Sequence, residues 1–355
     1  MGKNETASKS IRWINYMRAI SMIAIYLLHA EEFFGYTIKG LGKFIQPFYV
    51  HSFFFVSGYL LFKKQTAVTE NQDRYAERKR FLLNLLFRMI IPSIIMSVLL
   101  FVPGSLLQER ELTVYSFIEK TIMGYTFWFI SALVVAELLV FLLLQSKIRN
   151  MCVYILYGVI CFAAGCYIGT KGTYLPMFTS HPWQYEKGLM AVIFLVMGGV
   201  YQKYESKIDH ILFKPITVIA LLLLYIIPLV FISKEIKVLL SLNIMNAAGA
   251  VICMVSISLL LVACKFIKGS NSVTNHLDYI GRHTLGLYFV CGAIPKVLMI
   301  LLPKVFPKGT LFYMLFGFIL SFVLAEGVVY LLEKYAPFLF DLRNGFYHPN
   351  RKAHC

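Results

Sequence analysis

Charge is scarce in this sequence, and acidic charge most of all. Only 15% of the 355 residues are charged, with 18 Asp and Glu against 34 Lys and Arg. A soluble domain needs a polar surface that this composition does not supply, so lipid rather than water is expected to solvate most of the chain. Other absences narrow the field further. There is no CxxC pair, and the seven cysteines (Cys152, Cys161, Cys166, Cys253, Cys264, Cys291 and Cys355) fall almost entirely in apolar stretches or at their ends. They are read as buried, reduced and structural, with no metal site. No Ser/Gly/Pro-rich linker divides the chain, which points to one domain. No internal repeat is visible, which argues against transporter folds built from duplicated halves. The net charge of +16 is spread through polar segments without an aromatic-interleaved basic patch, so no nucleic-acid partner is expected. The opening MGKNETASKS lacks the features of a secretory signal, and no cleavage is expected there.

What the sequence has in abundance is apolar runs. Hydrophobic residues make up 59% of the chain and the mean hydropathy is +0.70. Crossing a hydrocarbon core takes about 20 apolar residues in helical form, because no water is present to satisfy backbone groups. Spans are expected near 13–31, 47–62, 81–102, 123–144, 151–169, 188–201, 216–233, 243–264, 279–302 and 311–332. The second and sixth are short and are expected to be tilted, broken or extended. The predicted fold is therefore all-α, a polytopic transmembrane helical bundle of about ten spans. A single membrane domain over 13–335 would lie between an N-terminal segment 1–12 and a tail 336–355.

Lys and Arg set the orientation. With a cytoplasmic N-terminus the inner segments hold 20 of them and the outer loops 11, and the other three are Arg18, Arg88 and Arg282. The strongest single signal is the inner loop with Lys63, Lys64, Arg74, Arg78, Lys79 and Arg80. Both termini are thus expected in the cytoplasm. The outer loops long enough to carry function are 32–46, 103–122 and 170–187. The last holds His181, Pro182, Trp183, Gln184, Tyr185 and Glu186. Such aromatic residues stack on sugars, but they also sit at headgroup level for structural reasons, the reading favoured here.

Titratable groups inside spans are costly and mark functional candidates. The first span, NYMRAISMIAIYLLHAEEF, places Arg18 and His29 eleven residues apart, about 20° apart around the helix axis and separated by roughly 16 Å of rise. Two readings stand. One polar face links a cytoplasmic cation to a general base, or Arg18 snorkels to headgroups while His29 bonds Glu32 at the interface. Arg88 lies seven residues into the third span, and Pro92 four residues later frees a carbonyl near it. It is either an anion contact or a headgroup anchor. Glu137 and Glu326 are intramembrane carboxylates that must pair with a cation on another helix or be protonated.

At these residues the chain resembles the acyltransferase-3 family of bacterial membrane acyltransferases. Arg18 and His29 are similar to the family's Arg, ten residues, His pattern. FYVHSFFFVSGYLLFKK resembles its Phe-rich segment ending in Ser-Gly, here Ser57 and Gly58, and KRFLLNLLFRMIIP its basic third-span motif. YTFWFISAL resembles its Trp-Phe-x-x-Ala-Leu segment, and YIGRHTLGLYFV its late Ile-Gly-x-x-Ser/Thr-Leu-x-x-Tyr segment. The likeness runs in order from about residue 11 to 335. There are two departures: Leu85 stands where some members carry a second Arg, and Cys291 where many have His. No hydrolase-like domain of the kind fused to some members is expected after the last span. The resemblance implies transfer of an acyl group, commonly acetyl, from acyl-CoA to a hydroxyl of a cell-surface glycan or lipid-linked sugar, in the bacterial inner membrane. It implies no bound cofactor, since acyl-CoA is a substrate. The site residues it suggests are His29 and Glu32 for catalysis, with Arg18, Arg88 and Trp128 as substrate contacts. Whether Glu31 or Glu32 orients the imidazole stays open. The alternative class is a secondary transporter or flippase using the same intramembrane charges.

Overall fold

The computed structural model describes residues 11–66, 74–106, 112–146, 148, 150–171, 181–231, 247–304 and 309–342. Most of the expected terminal segments, residues 172–180 of the third outer loop and Cys355 lie outside them. Among the described residues every regular element is a helix, as the composition requires. We number them α1 (Arg12–Phe34), α2 (Leu41–Tyr49), α3 (His51–Thr66), α4 (Arg74–Leu85), α5 (Ile91–Leu106), α6 (Val114–Thr121), α7 (Trp128–Leu144) and α8 (Met151–Lys171). They continue with α9 (Tyr185–Leu212), α10 (Pro215–Phe231), α11 (Ala247–Phe266), α12 (Ser272–Arg282), α13 (Thr284–Val290), α14 (Ala293–Leu301) and α15 (Leu311–Tyr335).

Among the described residues five helices qualify as single spans by length and hydropathy, and counting two bent pairs brings the number to seven, against the ten or so expected of the whole chain. The short second span is extended, since α2 and α3 together give a 24-residue stretch from Leu41 to Lys64. The sixth is extended too, because α9 runs for 28 residues and meets α10 at 96°. The third begins earlier than its hydropathy suggested, so that part of the expected loop 63–80 is helix. The ninth is broken rather than continuous. It interrupts at His283, and again at Cys291–Gly292, where α13 and α14 meet at 44°. Non-helical backbone at membrane depth is tolerated where protein buries it or where it lines a cavity.

Small residues decide how closely the helices approach. α9 packs against α3, α7 and α8. At its crossing with α3, a Cβ on Gly58 would run into the Leu195 carbonyl, and one on Gly198 into the Phe55 carbonyl and, at 2.7 Å, the Tyr59 nitrogen. The two backbones are therefore in direct contact, the arrangement by which membrane helices gain packing without a hydrophobic driving force. Gly281 makes the same approach to Asn15 where α12 crosses α1. Asn15 also donates to the Asp278 carboxylate at 2.7 Å. Away from these seams, α10 and α15 expose Leu222, Leu223, Phe312, Ile319 and Val323, side chains suited to lipid.

Candidate functional site

α1 carries two groups of polar residues, one in each half. In the N-terminal half, half-buried Arg18 lies within electrostatic reach of Glu137 on α7 and of Arg88. The hydroxyl of Ser57 on α3 donates to the Glu137 carboxylate. Glu137 thus has a hydrogen bond from another helix and a cation within electrostatic reach. Arg88 lies in a single π-turn, Leu86–Ile90, closed by the Ile91 N–H bonding the Leu86 carbonyl. Pro92 begins no hydrogen bond back to the Arg88 carbonyl, and an extra residue in the turn is a common response to such a gap. The Arg88 Nε lies 3.3 Å from Asp341 Oδ2, in the segment that follows α15.

The C-terminal half of α1 presents His29 to a cavity of about 680 Å³. Its lining includes Glu32, Trp128, Tyr288, Cys291 and Lys296. Glu32 Oε2 lies 3.6 Å from His29 Nδ1, close enough to bias the ring but beyond hydrogen-bond length. Glu31 turns away and accepts the Ile38 N–H at 2.7 Å, so Glu32 is the carboxylate beside the imidazole. Cys291, at the helix break, lines the same cavity as His29. Trp128 opens α7 at the cavity wall, with the Lys187 ammonium 4.9 Å from its ring centroid. The structure therefore brings His29, Glu32 and Trp128 together, and groups Arg18 with Arg88 elsewhere. Arg18 and Arg88 are not among the cavity-lining residues.

The sequence segments singled out above converge on this framework. The Phe129 N–H bonds the Tyr288 hydroxyl at 3.3 Å, joining the Trp-Phe segment to the late segment. The Tyr26 hydroxyl donates to the Leu287 carbonyl at 2.8 Å, fixing α13 against α1. In the third outer loop, Trp183 and Gln184 adopt left-handed backbone with φ of 54° and 50°. The Trp183 N–H bonds the Met123 carbonyl at 2.8 Å, and Gln184 Oε1 accepts from Lys187 at 2.6 Å. This part of the loop is packed against the start of α7. Glu326 faces His276 at 3.1 Å.

Sequence reasoning missed a polar knot at the N-terminal end of α1. Lys265 bonds Glu205 at 2.6 Å and Asp209 at 2.7 Å, and each carboxylate also accepts from a tyrosine, Tyr59 or Tyr201, at 2.7 Å. The Lys265 ammonium lies 5.3 Å from the Trp13 ring centroid. Tyr201, Glu205 and Asp209 recur every four residues, so their common helical face was a readable signal. It went unread because α9 was expected to end near residue 201. The six described cysteines are free, and among the described residues no cluster of His, Cys, Asp and Glu is arranged to hold a metal.

No curated protein and no solved structure matches the chain. A family profile described as an acyltransferase domain matches residues 11–326, nearly the whole chain, including Arg18, Ser57, Arg88, Glu137 and the residues that line the cavity. The chain belongs to the acyltransferase-3 family.

Proposed function

We propose that this membrane acyltransferase moves an acetyl group from acetyl-CoA to a hydroxyl of a cell-surface glycan or lipid-linked sugar, with both termini in the cytoplasm of a bacterial cell. The observation that carries this reading is the division of α1. A pair of arginines lies toward one end, and a histidine on a cavity wall lies roughly 16 Å of helix rise away. Acetyl-CoA has the same polarity, with phosphates at one end of an extended arm and the thioester at the other. Arginine forks suit the phosphates. Glu137, held by the Ser57 hydroxyl, lies within electrostatic reach of Arg18.

At the cavity, His29 takes the proton of the acceptor hydroxyl as its oxygen attacks the thioester carbonyl carbon. The new C–O bond forms and the carbonyl electrons move onto oxygen. They return as the C–S bond breaks, and CoA leaves as a thiolate that accepts the proton held by the imidazolium. Glu32 favours the imidazolium, and Trp128 offers an indole face to the sugar. A positioned base contributes about 10²–10⁴-fold in rate. In purified, reconstituted protein supplied with labelled acetyl-CoA, His29→Ala should cut transfer by that order while donor affinity is retained. Turnover close to wild type in a folded His29→Ala protein would place the base elsewhere.

A further inference from the structure

Left-handed backbone outside glycine is confined to one turn of this fold. Among the described residues, Trp183 and Gln184 are the only non-glycine residues with positive φ, at 54° and 50°. Side chains bearing a Cβ disfavour this region, so two in succession persist only where the surroundings hold them there. Three contacts do so. The Trp183 N–H bonds the Met123 carbonyl at 2.8 Å, shortly before α7. The Gln184 N–H bonds the His181 carbonyl at 3.0 Å. The Gln184 side chain, only 1% exposed, reaches over the first turn of α9 and accepts from the Lys187 ammonium at 2.6 Å.

That bond delivers Lys187 to the wall of the cavity. Its ammonium lies 4.9 Å from the centroid of Trp128, which lines the cavity together with His29, whereas Lys187 itself is not a lining residue. Gly188, the next residue, lets the two helices close on each other. A Cβ there would come within 2.7 Å of the Val135 side chain and 3.0 Å of the Ala132 carbonyl, so α9 has no room to shift Lys187 away from α7. Buried Glu186 lies within electrostatic reach of Lys187, so the ammonium has a counter-charge and needs no ligand of its own. An unheld lysine spreads over many rotamers, and an indole at a cavity wall over several. A cation fixed over one face of the indole holds the ring in one plane. We infer that Gln184 and Lys187 are positioning residues for the acceptor. They fix the Trp128 indole as the platform on which a sugar ring stacks with its hydroxyl toward His29. The inference rests on reading this cavity as the acceptor site, and it adds the residues that set its aromatic wall.

The test uses full-length protein in nanodiscs, with dodecyl β-glucoside as the probe and equilibrium binding as the readout. Lys187→Met removes the ammonium while keeping an unbranched side chain. A released indole occupies several rotamers, and apparent affinity falls with the fraction that is competent, so glucoside binding should weaken about three- to sixfold. Lys187→Arg keeps a cation that can donate to Gln184 and stack on the indole, and it should recover most of the affinity. In a Trp128→Ala background Lys187→Met should have little further effect, because both changes remove the same interaction. Gln184→Asn suits the left-handed backbone but shortens the acceptor by one methylene. It should weaken binding with Lys187 intact, a readout that does not depend on the Lys187 variants folding. Equal losses in Lys187→Met and Lys187→Arg, or losses that add to those of Trp128→Ala, would overturn the inference. So would wild-type binding no tighter than that of Trp128→Ala. Binding that follows Lys187 and Trp128 in this way without any acetyl transfer would leave the platform standing and remove the transferase reading instead. Acetyl transfer from acetyl-CoA with glucoside affinity indifferent to Lys187 would do the reverse.

Discussion

The contact between α3 and α9 makes a prediction that separates packing from helix propensity. Replacing Gly198 by Ala puts a methyl group against the Phe55 carbonyl and 2.7 Å from the Tyr59 nitrogen, whereas ordinary contacts begin at 3.4 Å. The obstructing atoms are backbone, so no side chain can swing away. The helices must part by roughly 0.7 Å at Tyr59 and by more at Phe55, an overpacking strain worth about 1–3 kcal/mol. Gly327→Ala is the matched control, since Gly327 lies in a helix and a Cβ there meets nothing within 4 Å. By lowering unfolded-state entropy and favouring helix, it should be neutral or stabilising by about 0.5–1 kcal/mol. Thermal unfolding of the two purified proteins in one detergent should place the Gly198→Ala midpoint clearly below that of Gly327→Ala. Because α3 also carries Ser57, which holds Glu137, Gly198→Ala should weaken donor binding as well. Equal or higher stability for Gly198→Ala would refute the claim that the α3–α9 backbones are in contact.

Two further predictions follow from charge. Arg88→Lys keeps the charge but loses the planar fork, so it should weaken apparent donor affinity more than it disturbs folding, and unchanged affinity in well-expressed protein would return Arg88 to a headgroup anchor. The 20 to 11 distribution of Lys and Arg predicts cytoplasmic reporters after residues 75 and 355 and an external one after residue 180, and an external signal at 75 would invert the whole orientation.

The parts of this fold that were legible in sequence are those set by one helix at a time. The common face of Arg18 and His29 follows from helical periodicity alone, and α1 keeps it. The bond of Glu137 to Ser57 and its nearness to Arg18 were not legible, because nothing near Glu137 in the chain specifies which helices α7 will face. Hydropathy also mistook where helices end. It reports how long a segment is apolar, whereas α9 continues past Tyr201 on the strength of Glu205 and Asp209, which are satisfied by Lys265 from another helix. The break at Cys291–Gly292 escaped the same measure. The run through it is apolar enough to read as one span, although Pro295 has no N–H to bond the Cys291 carbonyl, a local signal that hydropathy does not register.

The ion pair between Arg88 and Asp341 has a consequence for any donor that uses Arg88. An incoming phosphate finds the guanidinium already engaged by a carboxylate of the same chain. Its apparent affinity is then the intrinsic one multiplied by the fraction of molecules in which Arg88 has let go. Where water reaches it, an ion pair of this kind is worth about 1 kcal/mol or less, which limits the loss to about fivefold. A carboxylate of that strength acts as a weak competitive ligand carried by the enzyme, one that shifts the donor concentration needed for half-saturation while leaving the rate at saturation untouched.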